Sequence, residues 1–199
     1  MEATGFVTAG GRSSRMGTDK AWLDLGGQAM IERVIAAVGP VTSSVAIIAN
    51  DPQYARLGLP VFADTNRGVG PLEAIRTALV NSNTSRVVLA GCDLPFVTSE
   101  LFSFLLHLEG GHQTVVPLSR EGLLEPLCAV YSTEVLAVVT ELIARGERKV
   151  KRLFDRVPTR FLAFDEISQL QGAELFFENV NTRQEYCRAV RILDRALGG

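Results

Sequence analysis

The chain is poor in the residues that build stapled or metal-knotted folds. It has three cysteines, Cys92, Cys128 and Cys187, and two histidines, His107 and His112, among 199 residues. The cysteines are widely spaced, odd in number and without a CxxC pair, so neither a disulfide framework nor a zinc site of Cys and His is supported. Charge of one sign is equally scarce: 20 Lys plus Arg stand against 22 Asp plus Glu, a formal net charge of −2. This balance argues against a protein that holds nucleic acid or an anionic membrane chiefly by excess positive charge. No apolar run approaches the roughly 18 to 20 residues of a membrane helix. The opening residues, MEATGFVTAGG, lack the basic and apolar regions of a secretory signal, and a cytoplasmic location is the expectation.

Hydrophobic residues are plentiful at 47%, with 21% charged, which suits a globular chain with a substantial core and little disorder. The length predicts one domain over residues 1–199, and no repeat, low-complexity tract or Pro- or Ser-rich linker divides it. Short β-type segments at 5–9, 44–49, 60–63, 86–90, 113–116, 127–131 and 160–164 alternate with helical patterns. Several are apolar throughout, as strands buried on both faces are. Ile31, Val34, Ile35 and Val38 fall on one helical face, as do Leu101, Phe104, Leu105 and Leu108, and Val135, Val138, Val139 and Leu142. A further helix follows Gly70, with Pro71 at its first position and Leu72, Ile75 and Leu79 facing inward. Another starts at Thr182, where Glu185 completes a capping box ahead of a stripe of Tyr186, Ala189, Val190, Leu193 and Leu197. The basic stretch 145–156 reads as a solvated helix face. The alternation predicts an α/β fold of three layers: a doubly wound, mostly parallel sheet with helices on both faces and right-handed crossovers. Such sheets bind ligands at the carboxyl ends of their strands.

Three segments at those ends can carry chemistry. Directly after the first strand, residues 8–20 read TAGGRSSRMGTDK. Gly10 and Gly11 let backbone amides approach an anion, while Arg12, Arg15 and Lys20 supply charge. The spacing fits neither a Walker A loop nor a GxGxxG fingerprint. Asp93, in the GCDLPF segment after strand 86–90, faces the ligand crevice, where an Asp can hold Mg²⁺ beside water and phosphates or cap a turn before Pro95. Asp64, Gly68 and Gly70 lead into the helix at Pro71, whose N-terminus favours an anion or a carbonyl oxygen.

Together these pieces resemble the sugar-nucleotide pyrophosphorylase-like nucleotidyltransferases, and more narrowly the molybdenum cofactor guanylyltransferases. The resemblance rests on AGGRSSRMGTDK (9–20), Asn50, Asp64, GPL (70–72), CDLPF (92–96), EPLCAVY (125–131), GERKV (146–150) and ENVNT (178–182), in order along nearly the whole chain. It implies attack of the molybdopterin phosphate on the α-phosphorus of GTP, giving the guanine dinucleotide and pyrophosphate with Mg²⁺. By the same resemblance Thr8, Ala9 and Gly10 line the guanine and ribose through backbone contacts, and Asn50 and Asp64 complete nucleotide recognition. Gly11, Arg15 and Lys20 lie along the phosphates, and Asp93 holds the magnesium. Gly70, Arg148, Lys149, Asn179 and Asn181 point to the molybdopterin side. GTP and molybdopterin are the expected partners, with transient contacts to cofactor-delivering or cofactor-accepting proteins, and neither nucleic acid nor membrane is expected. Thr8 stands where the family usually has leucine, Ala74 where it often has glycine, and Glu125 where it often has histidine. A cytidylyltransferase for the same cofactor, another small nucleotidyltransferase and a GTP-binding module without turnover remain alternatives. The missing GxGxxG speaks against a dinucleotide oxidoreductase.

Overall fold

The structure is a computed structural model that describes residues 2–10, 19–64, 70–108 and 110–197. Its strands are β1 (Ala3–Thr8), β2 (Ser44–Ile48), β3 (Val61–Phe62), β4 (Arg86–Gly91), β5 (Thr114–Pro117), β6 (Cys128–Ser132) and β7 (Thr159–Leu162). They form one seven-stranded sheet in the order β3-β2-β1-β4-β6-β5-β7. All neighbours pair in parallel except β6, which runs antiparallel to β4 and to β5. The helices are α1 (Met30–Val38), α2 (Pro71–Val80), α3 (Ser99–His107), α4 (Leu136–Ala144), α5 (Lys151–Phe154), α6 (Phe164–Ile167) and α7 (Arg183–Leu197).

Side chains alternate across the pleat and divide the core into two sheets of contacts. Val7, Ile47, Val88, Val115 and Val130 face one way and pack with Ile31, Val34 and Val38 of α1 and Leu101, Phe102 and Leu105 of α3. Phe6, Ile48, Leu89, Val116 and Tyr131 face the other way, against Leu72, Ile75 and Leu79 of α2 and Val139 and Leu142 of α4. This is the expected three-layer, doubly wound arrangement. At Gly5 in β1 the first helix comes so close that a Cβ would lie 2.3 Å from Val38 Cγ1. Helix α7 builds a smaller cluster, with Ala189 packed on Leu25, Met30, Phe96 and Val180, and Tyr186, Val190 and Leu193 around them.

Two expectations are corrected. The strand expected over 160–164 ends at Leu162, because Ala163 N donates to Glu166 Oε1 at 3.0 Å and starts α6 at Phe164. The stretch 145–156 is not a continuous helix face. A turn at Gly146 separates α4 from α5, and ion pairs of Arg145 and Arg156 with Glu141, and of Arg152 with Glu147 and Asp155, neutralise much of its charge. No helix among the described residues is long and apolar enough to cross a membrane.

Candidate active site

The carboxyl ends of β1, β2, β3 and β4 point to the same edge of the sheet, and the antiparallel β6 brings its amino end there as well. A cavity of about 870 Å³ opens along this edge. Its walls include Thr8, Ala9 and Gly10 after β1, Ile48 and Asn50 after β2, Asp64 after β3, and Cys92 and Asp93 after β4. Gly70, Pro71 and Ala74 at the start of α2, Leu127 before β6, Lys20 and Arg148 close it.

Lys20 belongs to a 3-10 turn over Lys20–Trp22 whose N-cap is Asp19. Asp19 Oδ1 accepts from Ala21 N at 3.1 Å, and Oδ2 accepts from Tyr54 Oη at 2.6 Å and Gln53 Nε2 at 3.1 Å. Trp22 stacks on Tyr54 with ring centroids 5.2 Å apart, and the Arg56 guanidinium covers Trp22 at 3.5 Å. The turn is thereby fixed to the chain after β2, and the lysine reaches inward. Lys20 Nζ donates to Asp93 Oδ2 at 2.9 Å and to Asn181 Oδ1 at 2.7 Å. The two charged side chains are only 12% and 24% exposed, so their attraction is screened less than that of a surface pair.

Asp93 sits in a turn closed by the bond from Leu94 N to Gly91 O at 3.1 Å. A Cβ at Gly91 would lie 2.5 Å from Asp93 Oδ1, so the absent side chain is what lets the carboxylate fold back over the strand end. Asp64 Oδ1 accepts from Thr77 Oγ1 of α2 at 3.0 Å. Burial holds the Asp64 carboxyl above the usual carboxylate range, against the opposing pull of that hydrogen bond. The Oδ1 atom of Asn50 is buried and has no hydrogen-bond partner among the described residues, an expensive arrangement for an amide oxygen unless something else supplies a donor. At the end of β1, Ala9 N donates to Ile48 O at 2.9 Å and Thr8 O accepts from Cys92 N at 3.0 Å, so these two backbone groups already serve the sheet edge.

On the opposite side, Glu147 Oε1 accepts from the backbone amides of Arg148 and Lys149, both at 2.8 Å, and sets the turn that presents Arg148 to the cavity. Those bonds hold the Glu147 carboxyl below its ordinary value, with the Lys149 amide the largest cause. Lys149 and Asn179 do not line the cavity; Asn179 Nδ2 turns to Phe177 O at 3.4 Å. Asn181, which does not line the cavity, reaches the site through its bond with Lys20. Gly11, Arg12 and Arg15 of the first loop, and Gly68, lie outside the described residues.

Sequence reasoning missed Ile48, Pro71 and Leu127 as cavity walls, since apolar residues at strand and helix ends read as core. It also missed the supports Thr77 and Glu147. Glu125, in the turn before β6, has its carboxyl pushed up to about 7, chiefly by burial and then by the charges of Asp93 and Glu121. The thiol of Cys92 is pushed up to about 12 by burial, which leaves it inert as a nucleophile. Among the described residues no group of three or more His, Cys, Asp and Glu side chains converges on one point.

A cavity at the carboxyl edge of a doubly wound sheet, lined by a lysine and an aspartate and, among the described residues, without an activated nucleophile, suits a nucleotidyltransferase. Residues 5–161 match the MobA-like NTP transferase domain, and the chain belongs to that family. Among its relatives is a protein of Pelotomaculum thermopropionicum named "Probable molybdenum cofactor guanylyltransferase", 35% identical over 95% of this chain and 92% of that protein. A protein of the same name from Carboxydothermus hydrogenoformans is 33% identical over 94% of each chain. The solved structure of molybdopterin-guanine dinucleotide biosynthesis protein A from Archaeoglobus fulgidus superposes with a TM-score of 0.82 at 24% identity, covering 96% of this chain and 99% of that one. The 2-C-methyl-D-erythritol 4-phosphate cytidylyltransferase of Thermus thermophilus, at 16% identity and a TM-score of 0.70 over 98% and 100% of the two chains, shares the fold.

Proposed function

We propose that this chain transfers GMP from GTP to the phosphate of molybdopterin, forming molybdopterin guanine dinucleotide and releasing pyrophosphate. The observation that carries the choice of nucleotide is the buried, unpartnered Oδ1 of Asn50 at the end of β2, one strand away from the Asp64 carboxylate at the end of β3. Two acceptors on neighbouring strand ends suit guanine, whose N1–H and N2–H₂ are adjacent donors. Adenine and cytosine present only one donor group beside ring acceptors on the corresponding edge. Names of the relatives point to the same base and the same acceptor.

The reaction needs positioning and charge neutralisation more than covalent catalysis, because the nucleophile is already an anionic phosphate oxygen. That oxygen forms a bond to the α-phosphorus as the bond to the departing pyrophosphate breaks. Lys20 Nζ, which reaches into the cavity beside Asp93, would meet the charge that grows on pyrophosphate; Gly11 and Arg15, which the resemblance assigns to the phosphates, lie outside the described residues. Arg148, in the turn set by Glu147, would meet the acceptor phosphate, and Gly70 is the other residue of the expected molybdopterin side that lines the cavity.

The donor set fits magnesium of the kind that keeps most of its water: Asp64 and Asp93 both line the cavity, and among the described residues no group of three or more His, Cys, Asp and Glu side chains forms a cage. Asp93 would hold the ion, which when bound supplies charge neutralisation at phosphate oxygens.

Calorimetric titration of the protein with GTP, ATP, CTP and UTP in the presence of Mg²⁺ tests the assignment. GTP should bind at least tenfold tighter than the others. A preference for CTP would move the chain to a sister transferase, and equal affinities would remove Asn50 and Asp64 from base recognition.

A further inference from the structure

The lysine that reaches the cavity floor is held from two sides, and one of them lies beyond the stretch matched to the family. Lysine carries a charge on a flexible four-carbon stem, so its placement depends on what its ammonium touches. Asp93 supplies one contact, and Asn181 Oδ1 supplies the other at 2.7 Å. Asn181 is exposed and sits in the segment leading into α7, where an amide side chain would ordinarily turn freely. Here its backbone is pinned. Glu185 Oε2 accepts from Asn181 N at 2.7 Å as well as from Thr182 N at 2.8 Å, and Val180 N donates to Asp93 O at 2.9 Å. The buried Val180 packs against Leu25, Met30 and Ala189, and Arg188 pairs with Glu178 at 2.9 Å.

A capping box requires only that Glu185 reach the amide of Thr182 while Thr182 Oγ1 receives Glu185 N, and both bonds are present, the second at 3.2 Å. The additional bond to Asn181 N is not needed to cap α7. It fixes instead the residue whose side chain holds Lys20. The Asn181 amide is also the first cause that keeps the Glu185 carboxyl below its ordinary value, and the Lys20 charge adds to it.

We infer that Asn181 and Glu185 are positioning residues for Lys20, so that these two residues at the start of α7 complete the triphosphate side of the site. The inference rests on the reading of Lys20 as a cation for the triphosphate. It assigns Asn181 an effect on nucleotide binding in the absence of any acceptor, and it gives Glu185 a role that the start of a helix would not require.

The test is GTP titration of the intact protein with Mg²⁺ and no molybdopterin, alongside thermal unfolding of each variant. Asn181→Ala and Glu185→Ala should each weaken GTP binding about fivefold to tenfold, the loss expected for one well-placed hydrogen bond. Glu185→Gln keeps an acceptor oxygen and should retain most of the affinity. Thr182→Ala breaks the other half of the capping box and should lower the melting temperature while GTP affinity stays within about twofold. Combining Asn181→Ala with Lys20→Ala should weaken binding no further than Lys20→Ala alone, since one acts through the other. Wild-type affinity in Asn181→Ala and Glu185→Ala, with Lys20→Ala weakened, would overturn the positioning role and leave the reading of Lys20 intact. Wild-type affinity in Lys20→Ala would overturn both. A loss in Thr182→Ala equal to that in Glu185→Ala would reduce the effect to helix stability and overturn the inference.

Discussion

Glu125 ties the pH dependence of stability to the chemistry of the site. Its carboxyl is raised from 4.5 to about 7 by burial first, then by the negative charges of Asp93 and Glu121. At about 1.4 kcal/mol per pH unit, this corresponds to about 3 kcal/mol favouring the protonated form in the fold. Water reaches part of the side chain and screens the two charges, so about 1.5 kcal/mol is the working figure. A group bound more tightly to its proton in the folded state stabilises fully below its unfolded value. Its contribution therefore is complete below pH 4.5 and is lost as the pH rises through 7. Glu125→Gln keeps the size of the side chain and removes the titration. Urea unfolding of wild type and Glu125→Gln without metal or nucleotide, at half-unit steps from pH 4.5 to 8, isolates the effect. Relative to the variant, the wild type should lose about 1.5 kcal/mol across that range. A difference in stability that is flat with pH, or that moves in favour of the wild type as pH rises, would refute the reasoning.

Further outcomes follow from the cavity. Asn50→Ala should weaken GTP binding about tenfold or more while leaving ATP and CTP nearly unchanged, read by calorimetry; equal losses for all nucleotides would mean that its amide does not read the base. Gly91→Ala should lower turnover on the order of tenfold, because the new Cβ meets Asp93 Oδ1 at 2.5 Å and displaces the carboxylate. Its thermal unfolding should report a folded protein, and wild-type turnover would show that Asp93 tolerates the shift. Arg148→Ala should raise the KM for molybdopterin about tenfold with little change in GTP affinity, and steady-state kinetics with each substrate varied would show the reverse if Arg148 instead served the nucleotide.

Much of this architecture is legible in the residues. The apolar runs at 44–49 and 86–90 became central strands, and the stripe from Ile31 to Val38 became the buried face of α1. The direction of β6 was not legible. Cys128 to Tyr131 are buried on both faces, and such a strand reads as continuously apolar whether it runs parallel or antiparallel. The end of β7 was misplaced because Phe164 is as apolar as the strand before it, and the helix start is marked only by Glu166 two residues later. At the site, glycines and charged residues after strands stood out, and Lys20, Asp93 and Arg148 do share one cavity. The supports did not stand out. Thr77 and Glu147 act through bonds to residues whose spacing carries no periodic signal, and Glu185 was visible only as a helix cap. The contact between Lys20 and Asn181 spans 161 positions, which no local pattern encodes.

The central claim is the transfer itself, and one measurement addresses it most directly. The protein is incubated with Mg²⁺, molybdopterin and each nucleoside triphosphate in turn, and pyrophosphate and the dinucleotide product are quantified together. With GTP, pyrophosphate and molybdopterin guanine dinucleotide should form in a one-to-one ratio, and Asp93→Ala should form neither. Equal or greater product with CTP, or GTP binding without any pyrophosphate release, would contradict the account.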